Sequence, residues 1–303
     1  MENFADRLHA EIGSKDSRVC VGLDPRIDGL PPRLRDAASG GPAEAARAFV
    51  EFCAGIIQAV SGYAVAVKPQ AAFFEALGPP GYQAMWDVIA EARAASTLVI
   101  LDAKRSDIGS TAEAYAQAYL DPPEGLQAPD ALTINAYLGS DGVIPFVNVA
   151  ARTGRGLFVL AKTSNPSSGE LQDLDVGGTA IFRLMTDLIA DWGRDLLGDC
   201  GYSSVGAVAG ATFPEQLAQI RAEAPTVPFL VPGYGAQGAG AEEVTGAFDS
   251  QGDGAVVNSS RGIIFAWRDA AYRDRFGPDD YAAAAAAAAC DMRDDINHAL
   301  DSR

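Results

Sequence analysis

The stretch Leu98–Ala112 reads LVILDAKRSDIGSTA, and the fold turns on how it is read. Thr97 through Leu101 is apolar, largely β-branched and short, the pattern of a strand buried on both faces. The charges begin where that run stops. Asp102 and Lys104 stand two residues apart, so a backbone that stays extended sends both side chains from one face, and Asp107 follows after a bend. Ser110-Thr111-Ala112-Glu113 has the form of a capping box and is expected to open a helix. The unit is therefore strand, charged loop, helix. An ordinary salt-bridged strand end would give the same D-x-K-x-x-D spacing, so the rest of the chain has to distinguish structure from chemistry.

Seven further apolar runs of strand length flank this one, with helical patterns between them: Val19–Leu23, Ala64–Val67, Ala131–Ile134, Gly156–Leu160, Val205–Val208, Phe229–Val231 and Gly254–Val257. Such alternation predicts parallel βαβ units. Phe49, Phe52, Cys53, Ile56, Ile57 and Val60 recur with the helical period, as do Ile181, Phe182, Leu184, Met185, Leu188 and Trp192. Thr212-Phe-Pro-Glu215 is expected to cap a helix after the sixth run. Polar residues collect just past nearly every strand, as they do at the C-terminal mouth of a (β/α)8 TIM barrel. A doubly wound open sheet is the other architecture this alternation allows, but the first strand is not followed by G-x-G-x-x-G. The length of 303 residues suits a single barrel of roughly 250 residues with insertions. One barrel domain spanning 1–303 is expected, with an N-terminal amphipathic helix carrying Phe4, Leu8 and Ile12 and an Ala-rich C-terminal helix around Ala282–Ala289.

A net charge of −17 argues against nucleic acid or an anionic membrane as partner, because both require a basic surface. No run reaches about 18 uncharged apolar residues, and the amino end lacks the form of a signal peptide, so a cytoplasmic location is expected. Cys20, Cys53, Cys200 and Cys290 have no metal-ligand spacing and are expected to be buried thiols. The only histidines are His9 and His298, both in terminal segments. Histidine chemistry is thus disfavoured, and lysine becomes the natural proton carrier.

Three further stretches could hold a ligand. Val65-Ala-Val-Lys68-Pro ends a strand on a lysine, which with Asp102, Lys104 and Asp107 would complete an alternating Lys/Asp array, each ammonium kept charged by carboxylates. Such an array needs no metal, since its own cations fill the space between the acids. Pro232-Gly233-Tyr234-Gly235-Ala236-Gln237, after the seventh strand, can bring backbone amides close to an anion, and Arg261, past the eighth, adds a guanidinium to the usual phosphate site of this barrel. Thr163–Gln172 is a long polar loop ahead of a helix beginning near Gly178, and is expected to act as a lid.

These motifs resemble orotidine 5′-phosphate decarboxylase. Asp102-x-Lys104-x-x-Asp107-Ile-Gly-x-Thr111 is similar to its signature, and the likeness extends through Asp24 in GLDP, Lys68 in VKP, Ser164 in TSNP, Pro232 to Gln237, and Arg261. The long first connection and the TSNPSS form resemble the longer bacterial (type 2) branch. The resemblance implies conversion of orotidine 5′-phosphate to uridine 5′-phosphate in pyrimidine synthesis, without metal or cofactor. It implies Lys104 as the proton donor to C6 of the pyrimidine, with Asp102 against the substrate carboxylate. Lys68 and Asp24 would bind ribose hydroxyls and align the array, and Ser164 would read the pyrimidine edge. Gln237, the Gly233–Gly235 backbone and Arg261 would hold the 5′-phosphate. Asp107 and Thr111 would reach into the neighbouring site of a homodimer. The segment Ser164–Leu171 and the Gln237 loop would close over the ligand.

D-x-K-x-x-D alone is shared with sister decarboxylases and aldol-type enzymes of the same superfamily. In the magnesium-dependent sisters an acid stands where Lys68 stands here, so a cation at that position opposes metal binding. A phosphate-ligand binding protein without turnover is a third reading. It is disfavoured because a binding module has little use for carboxylates that destabilise the fold when buried.

Overall fold

The computed structural model describes residues 2–235 and 239–303. Eight parallel strands close into a barrel: β1 (Val19–Leu23), β2 (Ala64–Pro69), β3 (Leu98–Arg105), β4 (Ala131–Ile134), β5 (Gly156–Lys162), β6 (Val205–Ala209), β7 (Phe229–Pro232) and β8 (Ala255–Ser259). Each pairs with its neighbours in chain order, and β8 closes on β1. The open-sheet alternative is thereby excluded. Several strands run past their expected ends, so Lys68, Asp102, Lys104, Lys162 and Asn258 lie on the strands themselves rather than beyond them. Side chains that part-way through a loop would be mobile are thus held by the strand ladder.

Eight helices of ten or more residues occur among the described residues: α1 (Phe4–Lys15), α2 (Pro42–Val60), α3 (Pro79–Ala94), α4 (Gly109–Leu120), α5 (Ser140–Thr153), α6 (Ile181–Gly193), α7 (Pro214–Glu223) and α8 (Tyr281–Asp301). The expected stripe on α2 is wholly buried. The alanine tract lies in α8, where Ala284, Ala285, Ala288 and Ala289 form its buried face. On α6 the buried face is instead Phe182, Thr186, Ile189 and Gly193, while Leu188 is 41% exposed. The helix turns its small residues inward because it sits close to the barrel. A Cβ on Gly193 would lie 2.3 Å from the Ser203 hydroxyl.

Two helix starts also differ from expectation. Helix α4 begins at Gly109 with Ile108 as N-cap, and no side chain caps it, so Ser110 is inside the helix rather than at its cap. The turn before it is closed instead by Asp107, whose carboxylate accepts the Ile108 N–H at 2.8 Å. Helix α7 keeps Pro214 in its first turn but is preceded by Phe213, and the Thr212 hydroxyl donates to the Ser164 carbonyl rather than capping.

Helix α1 plugs the N-terminal end of the barrel. Asn3 caps it by accepting the Ala5 N–H at 2.8 Å. Phe4, Leu8 and Ile12 pack against Cys20, Ile100, Phe158, Leu230 and other inward side chains, and the Phe4 and Phe158 rings meet edge to face with centroids 5.9 Å apart. Gly156 makes room for the ring, since a Cβ there would lie 2.1 Å from it. Beside the plug, Asp130 is fully buried; it accepts from Arg7, from Arg93 at 2.8 Å and from the Val99 N–H at 2.9 Å, tying α1, α3 and β3 to the start of β4. Of the four cysteines, Cys20 and Cys53 are buried, whereas Cys200 and Cys290 are partly exposed.

Truncating the plug should therefore cost stability at the end of the barrel away from the polar mouth. Phe4→Ala is expected to lower unfolding free energy by about 3–5 kcal/mol in urea titrations, the usual range for an aromatic cavity.

Candidate functional site

The C-terminal mouth is organised by the carboxylate of Asp102, which lies near the end of β3 and is 6% exposed. Its Oδ1 accepts from Lys104 Nζ at 2.5 Å and from the Thr133 hydroxyl at 2.9 Å. Its Oδ2 accepts from Lys68 Nζ at 2.7 Å and from Gln70 Nε2 at 3.0 Å. Two ammonium groups and two neutral donors fill the four acceptor positions a carboxylate has. Lys68 comes from β2, Gln70 from the residue after it, and Thr133 from β4, so three adjacent strands converge on one side chain.

Burial works against the charge on Asp102, but the charges and hydrogen bonds of Lys68 and Lys104 outweigh it and hold the carboxyl well below the usual range. Burial likewise disfavours the Lys68 ammonium. The negative charges of Asp102 and Asp24 prevail and hold its pKa above the ordinary lysine value. Asp102 and Lys68 thus hold each other ionised. Lys104 differs in being 44% exposed at its side chain, with its ammonium at the open end of the array.

Lys104 does not reach Asp102 by simple strand alternation. Its φ is +48°, in the left-handed region, and the register of β3 against β4 breaks between Leu101 and Arg105. The backbone folds back and returns the lysine over the carboxylate.

Asp107 makes no ion pair or hydrogen bond with Lys68, Asp102 or Lys104 among the described residues. The array within one chain is therefore Lys68–Asp102–Lys104. Asp107 is partly exposed, with its carbonyl against Gly142 of α5, and Thr111 is exposed on the first turn of α4.

The remaining expected residues ring the same mouth. Asp24 follows β1, and its Oδ1 is buried without a hydrogen-bond partner among the described residues. The Oδ1 of Asn258 on β8 is likewise unpartnered. Both are acceptors facing a polar mouth. Ser164 follows β5; it packs on Gly210 past β6 and lies close to Gly233, where a Cβ would come 3.7 Å from that of the serine. Pro232 ends β7, and Gly233 and Gly235 have φ of +109° and +72°, a turn that glycine adopts without strain. Arg261 opens a short helix after β8 and is exposed. Gln237 lies outside the described residues.

The expected lid segment is folded on itself. Gln172 accepts the Thr163 N–H at 2.9 Å and donates to its hydroxyl at 2.8 Å, around a 3-10 turn at Pro166–Glu170. A two-stranded hairpin follows, Asp175–Val176 with Thr179–Ala180, turned at Gly177 and Gly178, both with positive φ. The helix begins three residues after Gly178, at Ile181. Lys162, 2% exposed, anchors the segment by an ion pair to Asp173 at 2.6 Å and lies 4.4 Å from the Phe213 ring centroid.

Gln70 and Thr133 were not evident as site residues in the sequence. Gln70 directly follows VKP, and Thr133 is the one hydroxyl in an otherwise apolar strand, which is the signal each offered. No cluster of three His, Cys, Asp or Glu side chains suited to a metal occurs among the described residues. No helix among them is long and apolar enough to cross a membrane.

Fold and site together define a (β/α)8 barrel with a lysine–aspartate array at its C-terminal mouth. The chain belongs to the orotidine 5′-phosphate decarboxylase / HUMPS family, whose model matches residues 17–273. It is 50% identical to the orotidine 5′-phosphate decarboxylase of Rhodopirellula baltica over 88% of this chain and 89% of that one. With the orotidine 5′-phosphate decarboxylase of Deinococcus radiodurans it shares 41% identity over 98% of each chain. The solved structure of Leishmania donovani OMP decarboxylase superposes with a TM-score of 0.75 at 33% identity, covering 99% of this chain and 100% of that one.

The charge lock makes a signed prediction. Because the folded pKa of Asp102 is depressed, its ionisation stabilises the fold fully above its ordinary value of 3.8 and loses that contribution as pH falls towards the folded pKa. Asp102→Asn takes from the buried Lys68 ammonium its ion-pair partner and should cost about 3–5 kcal/mol at neutral pH. In urea unfolding the gap between wild type and variant should narrow only below that value.

Proposed function

We propose that this chain decarboxylates orotidine 5′-phosphate to uridine 5′-phosphate in de novo pyrimidine biosynthesis, acting without metal or organic cofactor. The observation that carries this reading is the Asp102 carboxylate held between the Lys68 and Lys104 ammonium groups at the mouth of the barrel, at 2.7 and 2.5 Å. The full-length match to relatives named for this activity supports it.

Loss of carbon dioxide from a ring carbon leaves an electron pair on C6 with no cofactor to receive it. The site must stabilise that charge as it develops and supply a proton at once. Lys104 Nζ–H is the donor: the C6–carboxylate bond breaks, its electron pair stays on C6, and the ammonium proton adds there. The neutral amine then regains a proton from solvent. Asp102 lies against the departing carboxylate, and Lys68 keeps Asp102 ionised. Metal independence is supported by the occupancy of Asp102 itself, since both its oxygens already face ammonium groups of the chain.

Asp24, with its unpartnered buried oxygen, accepts from one ribose hydroxyl, and the Lys68 ammonium donates to another. Ser164 reads the pyrimidine edge. The Gly233–Gly235 backbone, Gln237 and Arg261 hold the 5′-phosphate, and binding there drives closure of Ser164–Leu171 and of the Gln237 loop, so that remote binding energy serves the chemical step.

The working unit is a homodimer of single barrel domains acting in the cytoplasm, with Asp107 and Thr111 completing the partner's array. Supporting this, the face that bears them also exposes Ile108 (52%), Tyr137 (75%) and Leu138 (48%), an apolar surface suited to burial against a second copy.

Purified protein in EDTA should convert orotidine 5′-phosphate with matching loss of pyrimidine absorbance and release of carbon dioxide; activity abolished by EDTA and restored by magnesium would instead indicate a metal-dependent enzyme. Lys104→Ala should lower turnover by at least roughly a hundredfold, the scale of a removed general acid, while still binding uridine 5′-phosphate in calorimetry. Binding without turnover in the wild type would leave only a binding protein.

Mixing Lys104→Ala with Asp107→Asn should restore activity that neither variant has alone, because each heterodimer then contains one site free of both changes. No recovery, with subunit exchange verified by mass spectrometry, would refute the shared site.

A further inference from the structure

We propose that Thr133 is a positioning residue for the decarboxylation: its hydroxyl both aims the Asp102 carboxylate and pins the backbone fold that returns Lys104 over it. The inference rests on the reading of Lys104 as proton donor.

Where β3 meets β4, Leu101 pairs with Leu132 and Arg105 with Ile134. Three residues of β3 therefore face Thr133 alone. This is a bulge, and it leaves the Ala103 and Lys104 N–H groups outside the regular ladder. Both donate to Thr133 Oγ1, each at 3.0 Å. With two N–H groups filling its acceptor positions, the hydroxyl has one proton left, and it points to Asp102 Oδ1 at 2.9 Å. The direction of that bond is forced, since an ionised carboxylate can only accept.

Thr133 is 1% exposed, so no water can substitute for it without repacking. The bulge needs such a hold. Lys104 is not glycine, and a left-handed φ of +48° is a strained conformation that persists only where neighbours enforce it. On the far side of the bulge, the Arg105 carbonyl accepts the Asn135 N–H at 2.9 Å, and its guanidinium donates to the Tyr119 hydroxyl at 2.9 Å and pairs with Glu75. Those contacts fix the strand after the bulge. Among the described residues, Thr133 is the side chain that joins the backbone N–H groups of the bulge to the carboxylate.

The decisive comparison is Thr133→Val against Thr133→Ser, since one removes the hydroxyl at nearly constant volume and the other keeps it. Thr133→Val should lower kcat by roughly tenfold or more with KM within about threefold of wild type, as expected for loss of a bond to an ionised group that acts in the transition state. Thr133→Ser should restore kcat to within about threefold, and uridine 5′-phosphate affinity should be unchanged in both. If the valine variant does not fold, Thr133→Ala takes its place in the same comparison.

Independently of turnover, the carbon-13 resonance of the Asp102 carboxyl at neutral pH should shift in the variant without the hydroxyl and keep its wild-type position in Thr133→Ser. An active wild type with a kcat loss under about twofold in Thr133→Val, or an equal loss in Thr133→Ser, overturns the proposal, the latter because packing of the methyl group would then be what matters. An unmoved Asp102 resonance also overturns it. An inactive wild type overturns the decarboxylase reading instead, and the Asp102 resonance still decides whether Thr133 sets the carboxylate.

Discussion

A carboxylate with every acceptor position filled is the constraint from which the mouth of this barrel follows. Asp102 draws in Lys68 and Gln70 from the β2 side, Thr133 from β4 and Lys104 from its own strand, so the ends of three strands are bound to one pair of oxygens. Burial alone would have pushed Asp102 towards neutrality and Lys68 towards the free amine. Placed together they hold each other ionised, and the group that stays half exposed, Lys104, is the one left to face a ligand.

The barrel divides its tasks between its ends. At the N-terminal end α1 seals the interior with Phe4, Leu8 and Ile12, and Asp130 binds arginines from α1 and α3. At the C-terminal end the strands run on past their apolar stretches and carry charge into the mouth. Closed pairing around the barrel couples the two ends mechanically, yet the chemistry at one is insulated from the packing at the other by the apolar layer between them. A substitution at the plug therefore acts on stability, and one at the mouth acts on charge.

Strain is concentrated at one site residue. The left-handed φ of Lys104 and the broken register beside it would be a liability in an ordinary strand. Here the hydroxyl of Thr133 and the Arg105 contacts take up the exposed backbone groups, and the result is an ammonium placed by the fold rather than by a flexible tether. The same economy of partners is missing at Asp24 and Asn258, each with a buried side-chain oxygen that has no partner among the described residues.

Much of this was legible in the chain. Eight apolar runs announced eight strands, the 3.6-residue period of α2 announced its buried face, and Lys68, Asp102 and Lys104, each ordinary alone at a strand end, stood out because together they make an alternating array of opposite charges. The period on α6 misled, since the face it buries is set by small residues, Thr186 and Gly193, that allow close approach and contribute little hydrophobic signal. Both expected caps failed for a related reason: capping depends on the backbone path into the helix, which Asp107 redirects before α4 and the contact of Thr212 with Ser164 redirects before α7. By itself, then, the sequence determined the strands, the alternation that closes them and the identity of the charged residues, because these follow from local pattern. Only the tertiary structure decided that Lys104 bends back, that Gln70 and Thr133 complete the shell of Asp102, and that Asp107 stands apart from the array, because each depends on which strand lies beside β3 and in what register.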